Sequence, residues 1–279
     1  MKLLRFEHQQ SCYQGVVAYD RVLVVHSLFE QPLRYTGLSF ALDQITPLAP
    51  SQPSKIICAG INYRAHADDG HALPSQPLLF LKPASAATGP DGEIPFPPLS
   101  QRIDLEGELG VVIGRYAHQI DAYEAELAIL GYCCANDVTA RDIQEAENNF
   151  GTAKSFPGFA PFGPCIETEL DPGDLWLETR VNGQLRQRAH SSDLLFSVQQ
   201  LVAYISQVMP LEPGDLILTG TPQGMGPLQP GDEVAIQIDG IGCLRNTLGY
   251  PIAARHALAS NAQRSSTPPV QPCAEVSHG

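Results

Sequence analysis

Residues 102–114, RIDLEGELGVVIG, narrow the possible folds more than any other part of the chain. The second half, LGVVIG, is apolar at nearly every position and stops at a glycine, as a strand covered on both faces would. The first half puts Asp104, Glu106 and Glu108 at every second position. Residues i, i+2 and i+4 of a strand point to one side, so three carboxylates are expected together where the chain enters the core. A solvent-facing edge would tolerate them, because charged residues are mostly exposed. The apolar continuation argues for a central strand instead, where adjacent carboxylates raise one another's pKa unless a cation compensates. Mg²⁺ and Mn²⁺ prefer oxygen ligands and would keep such a group ionised. A second acidic segment, CCANDVTARD, also follows an apolar run and offers a ligand from elsewhere in the chain.

The rest of the chain is rich in strands. Asn182-Gly183 and Asp239-Gly240 each separate alternating runs, the strongest short signal for a hairpin. Residues 121–131 predict a helix closed by Gly131, and 191–210 a second, capped by Ser191 or Ser192 and ended by Pro210. Strands outnumber helices with no regular β-α-β alternation, so the expected class is mostly β or α+β. The Pro/Ser-rich stretch at 47–55 predicts a linker after a small β-rich region at 1–50. The tail at 254–279, poor in large apolar residues, predicts disorder.

A net charge of −13, from 30 acidic and 17 basic residues, disfavours nucleic acid or an anionic membrane as partner. An acidic substrate would then need local cations or a metal. The start, MKLLRFEHQQ, lacks a signal-peptide apolar run, and no stretch nears the ~18 apolar residues of a membrane span. The seven cysteines show no C-x-x-C spacing, which suits small buried hydrophobes in a reducing cytoplasm.

Seven ordered motifs resemble the fumarylacetoacetate hydrolase family: KIICAGINYRAH, PLLFLKP, DLEGELGVVIG, NDVTARDIQ, AKSF, VNGQLRQ and PGDLILTGTPQGMGP. The resemblance implies a mixed β-sandwich roll over residues 51–253, usually homodimeric, with a Mg²⁺ or Mn²⁺ site. On this chain it implies Glu106, Glu108 and Asp137 as metal ligands, with Asp104 outside that set. It implies Lys154 beside the metal, Arg141, Gln144 and Thr221 on the substrate, and His66 on a mobile lid. Many members carry glutamate three residues after that histidine; here the position is Asp69, one methylene shorter, with Asp68 or His71 as possible stand-ins. The stretch EAENNFGT between two of the motifs is also short.

Such enzymes act mostly on 2-oxo or 2,4-dioxo acids by stabilising an enolate. Water activated by His66 would cleave a C–C bond of an acylpyruvate, and this is the leading expectation. Loss of a distal carboxylate would be decarboxylation, as of oxaloacetate, and movement of a proton alone would be tautomerisation or isomerisation. A non-catalytic binding protein on the same scaffold is a further alternative.

Overall fold

The structure, a computed structural model, describes residues 1–68 and 72–251. The tail expected at 254–279, Asp69 and His71 lie outside these residues.

A large sheet organises the molecule. From one edge its strands run Tyr35–Ala41, Arg21–Val25, Ser11–Ala18, Lys2–His8, Ala160–Glu167, Ile129–Asn136, Gly107–Ile113, Leu216–Leu218, Lys55–Gly60 and Leu78–Pro83. Most neighbours are antiparallel, but Leu216–Leu218 runs parallel to Lys55–Gly60, which makes the sheet mixed. A five-stranded sheet built on Trp176–Val181, Gln184–His190, Glu233–Ile238 and Gly242–Leu248 packs over its centre. The fold is thus mostly β, as expected.

The central strand Gly107–Ile113 shows why both sides are apolar. Leu109, Val111 and Ile113 enter the core shared with the second sheet, while Val112 joins a separate core on the opposite face. All four are at most 2% exposed, and burying each such side chain is worth ~1.5–3 kcal/mol.

Four expectations need correction. The carboxylate segment is not one continuous strand: Ile103–Leu105 joins a small sheet with Thr139–Ala140 and Gly226–Pro227, and the chain turns at Glu106. The first helix, α1 (Ala122–Ala128), ends before Gly131, because Ile129 already starts the next strand. The helix near the second position begins later, since Ser197 and Gln200 form a capping box that outcompetes Ser191 and Ser192. The stretch expected to be a linker is also packed: Ser51 is buried, and Asp215 accepts hydrogen bonds from the Ser54 hydroxyl and the Ser54 and Lys55 amides. Both hairpins form, and Asn182 and Gly183 have φ of 48° and 79°, as a tight turn with two left-handed residues requires. Among the described residues no helix is long and apolar enough to cross a membrane, and Cys58, Cys133, Cys134 and Cys165 are buried free thiols.

Candidate metal centre and active site

The turn at Glu106 builds the centre. The Glu106 amide leaves the ladder and donates to Asn136 Oδ1 at 3.0 Å, while its carbonyl accepts from the Asp137 amide at 2.9 Å. The next residues rejoin the sheet, with Gly107 opposite Asn136. This local exchange brings Glu106, Glu108 and Asp137 together, with one ligand atom of each within 4.8 Å of the others. All three side chains are buried.

Gly107 separates the two glutamates. A Cβ there would lie 2.1 Å from Thr179 Oγ1, so only glycine fits against that strand. Gly220 plays a similar part: at φ +102° it brings its amide within 2.6 Å of Glu108 Oε2, and a Cβ would strike Asn62.

A chain of alternating charges surrounds the acids. Arg102 binds Asp104, Asp104 binds Arg141, Arg141 binds Glu106, Glu106 binds Lys154, Lys154 binds Asp137, and Asp137 binds Lys82. Lys154 Nζ sits 2.8 Å from Glu106 Oε2 and 2.6 Å from Asp137 Oδ2. Asp104 therefore steadies Arg141 and stays outside the three-carboxylate group. Glu108 stands apart from this chain and has no ion-pair partner among the described residues.

These surroundings separate the carboxyls chemically. Burial, reinforced by the charges of Asp137 and Glu106, pushes the Glu108 carboxyl well above its ordinary range. Burial opposes the charge on Asp137 too, but Lys154 and Lys82 outweigh it and hold that group low. Burial likewise opposes the charge on Lys154, and Asp137 and Glu106 more than offset it, so Lys154 is held as a cation. An all-oxygen donor set with one uncompensated glutamate fits a hard divalent cation.

The centre opens into a cavity of about 180 Å³ lined by all three acids and by His66, Arg141, Gln144, Lys154 and Thr221. Arg141 starts the short helix α2 (Arg141–Glu147), where its Nη1 donates to Gln144 Oε1 at 2.9 Å. His66 Nε2 lies 2.8 Å from the Thr221 carbonyl, which can only accept, so Nε2 carries a hydrogen and a neutral ring has its lone pair on Nδ1. The Thr221 hydroxyl donates to Gly107 O and accepts from Gln187, so its one proton is already committed. Asp68 is described but exposed, at the end of the turn that carries His66.

Lys82 and Gln187 were missed as site residues. Lys82 is 1% exposed, and a lysine inside the apolar run LLFLKP was the available signal, because lysine is almost never buried unpaired. Gln187 ties Gly107 N to Thr221 and Pro222, and only its inward position in the hairpin's alternation hinted at this.

A mixed β-roll that gathers three buried carboxylates, a buried lysine and an arginine around one cavity defines a class of acid-lined sites suited to a hard cation. The model described as "Fumarylacetoacetate (FAA) hydrolase C-terminal" matches residues 55–249, and the chain belongs to that family of enzymes. An uncharacterized protein of Archaeoglobus fulgidus is 45% identical over 244 residues, covering 87% of this chain and 94% of that protein. The mitochondrial oxaloacetate tautomerase FAHD2B of Bos taurus is 39% identical over 218 residues, 73% of this chain and 69% of its own. The solved structure of 5-carboxymethyl-2-hydroxymuconate delta-isomerase from Mycobacterium smegmatis is 40% identical, with a TM-score of 0.85 over 89% of this chain and 99% of that one.

Proposed function

We propose that the chain is a Mg²⁺- or Mn²⁺-dependent enzyme that interconverts the keto and enol forms of a small 2-oxo dicarboxylic acid. The observation that carries this is the convergence of Glu106, Glu108, Asp137, Lys154, Arg141 and His66 on one small cavity. Glu106, Glu108 and Asp137 would hold the ion, which when bound supplies a Lewis acid for a developing enolate oxygen. Lys154 adds a fixed cation at the same place, and such preorganised charge is typically the largest catalytic contribution. Arg141 and Gln144 orient a substrate carboxylate, and His66 moves the proton at Nδ1.

Charge and size support a dicarboxylic acid. Setting aside the solvent-exposed Glu145, which also reaches Arg102 at 3.9 Å, the connected groups together with Glu108 ionised as a ligand comprise four cations and four carboxylates, so the protein's own charges at the site balance. A divalent ion then leaves two positive charges, which a dianion neutralises. The cavity of about 180 Å³ lies below the ~300–1,000 Å³ of pockets for drug-sized ligands, which suits a compact acid. The tautomerase and isomerase among the relatives agree with enolate chemistry that stops at proton movement.

Hydrolysis of an acylpyruvate is the second reading, supported by the hydrolase description of the matching family. It needs the same residues, with His66 taking its proton from water. Purified protein with Mg²⁺ or Mn²⁺ should speed the change in enol absorbance of oxaloacetate without releasing pyruvate. Pyruvate from an acylpyruvate would favour hydrolysis, and pyruvate from oxaloacetate would favour decarboxylation. Tautomerase activity unchanged in metal-free protein or in Glu108→Gln would refute the proposal. The same reading includes a cytoplasmic homodimer. Tyr123 and Leu127, 75% and 56% exposed one turn apart on α1, support assembly, and sedimentation tests it.

A further inference from the structure

Ile61 carries an unusual backbone at the cavity wall. Eight described non-glycine residues have positive φ; Ile61, at 50°, is the one that is β-branched, and the one that lines this cavity. A β-branched side chain in the left-handed region is a true outlier, and such conformations persist only where neighbours impose them.

The neighbours do impose it. On one side Gly60 is paired with Leu78 in the large sheet. On the other, Asn62 is buried and clamped by both backbone and side chain. Its carbonyl accepts from Leu195 N at 2.7 Å, its Oδ1 accepts from Phe196 N at 2.8 Å, and its Nδ2 donates to Phe196 O and Thr219 O. Tyr63 then bridges to Leu194. Ile61 is the single residue between these anchors, and it absorbs the turn that leads to His66.

The other apolar lining residues have duties at the charged end. Phe80 and Phe150 stack on each other and flank Lys154 Nζ, at 4.8 and 5.9 Å from their centroids. Met225 touches Arg141 through its sulfur at 3.6 Å. Among the described residues Ile61 makes no such polar contact, and the residues just before it, Ala59 and Gly60, are small.

We infer that Ile61 is the specificity-determining residue for the part of the substrate away from the 2-oxo acid end, and that its strained backbone holds the side chain there to exclude larger groups. This rests on the 2-oxo acid reading of the site. It requires that the ligand's carboxylate and oxo group lie at the acids and that its remaining carbons meet Ile61.

N-alkyl oxamates, which resemble 2-oxo acids and do not turn over, separate this from catalysis. Calorimetry on Mn²⁺-loaded protein would compare N-methyl and N-butyl oxamate in wild type, Ile61→Val, Ile61→Ala and Ile61→Gly. Wild type should prefer the smaller ligand, and Ala and Gly should shift the ratio toward butyl by about 10-fold or more, the scale of methylene discrimination in an apolar pocket. Val should keep most of the wild-type preference. A shift of less than about threefold in both Ala and Gly, or no size preference in wild type, would overturn the inference. So would Ile61→Gly melting higher than wild type with an unchanged ratio, which marks the strain as structural only. Lack of turnover on every oxo acid, with the oxamate ratio still shifting, would refute the proposed reaction and leave the role of Ile61 standing.

Discussion

Replacing Gly107 by alanine tests how the two glutamates are held. The new methyl would lie 2.1 Å from Thr179 Oγ1, more than an ångström inside ordinary contact, and 3.0 Å from Gln187 Oε1. Thr179 is fully buried, and Gln187 is locked by bonds to Gly107, Thr221 and Pro222, so neither can swing away cheaply. Overpacking of this kind costs ~1–3 kcal/mol. Displacing Gln187 would also loosen its 2.9 Å bond from the Gly107 amide, worth ~1 kcal/mol. The sum, about 2–4 kcal/mol, should appear as lost stability in urea unfolding. If only ~1.4 kcal/mol of it falls on the spacing of Glu106 and Glu108, Mn²⁺ affinity drops about tenfold. Thr179 Oγ1 has no hydrogen-bond partner among the described residues, so Thr179→Ala by itself strands no polar group. Gly107→Ala/Thr179→Ala should therefore recover a good part of both losses, a coupling that a double-mutant cycle measures. Wild-type stability and Mn²⁺ affinity in Gly107→Ala, or a double variant no better than the single, would refute this account.

Further perturbations separate the other contributions. Lys154→Met removes a buried cation from between two carboxylates and should cost ~3–5 kcal/mol in metal-free unfolding, with a smaller loss when Mn²⁺ is present. Asp215→Ala leaves the Ser54, Lys55 and Glu212 amides and Lys55 Nζ without their acceptor and should cost ~3 kcal/mol or more, read by denaturant unfolding. Mn²⁺ at 100 times its dissociation constant should stabilise wild type by ~2.7 kcal/mol, and Glu108→Gln should lose most of that gain in a thermal melt. Burial opposes the charge on Asp142, but the Ser100 hydroxyl and the Gln101 amide outweigh it and hold its carboxyl below the usual range. The stability it contributes is present above the unfolded pKa of ~3.9 and is lost as pH falls through the lower folded value, so Asp142→Asn should flatten the acid limb of the unfolding curve.

Local patterns made the strand-rich class, both hairpins and the buried double-faced strand at 107–113 legible, because alternation and turn residues act over a few neighbours. The three acids were legible as a cluster, but periodicity treated Asp104, Glu106 and Glu108 alike. What separates them is the turn at Glu106, and Asn136 at the end of a neighbouring strand and Asp137 just after it create it. Long-range bonds of that type leave no local trace. Gln187, which reaches the site from the other sheet, left only its inward place in the hairpin's alternation as a trace. The helix starting at Ser197 was misplaced because Ser191, Ser192 and Ser197 all offer caps, and only Ser197 has Gln200 at the reciprocal position.

The N-terminal strands also have a consequence for cutting the chain. Lys2–His8 hydrogen-bonds to Ala160–Glu167, with Lys2 opposite Glu167 and Leu3 opposite Ile166, so residues 1–50 continue the sheet that carries the acids. A fragment beginning near residue 51 would expose one end of that strand as an unpaired edge, along with Ile166, which is buried in the whole chain. Bare apolar edges recruit other strands. Work on a shortened enzyme would therefore meet self-association before it met any loss of chemistry, and a soluble version would need a charged residue or a proline placed along that edge.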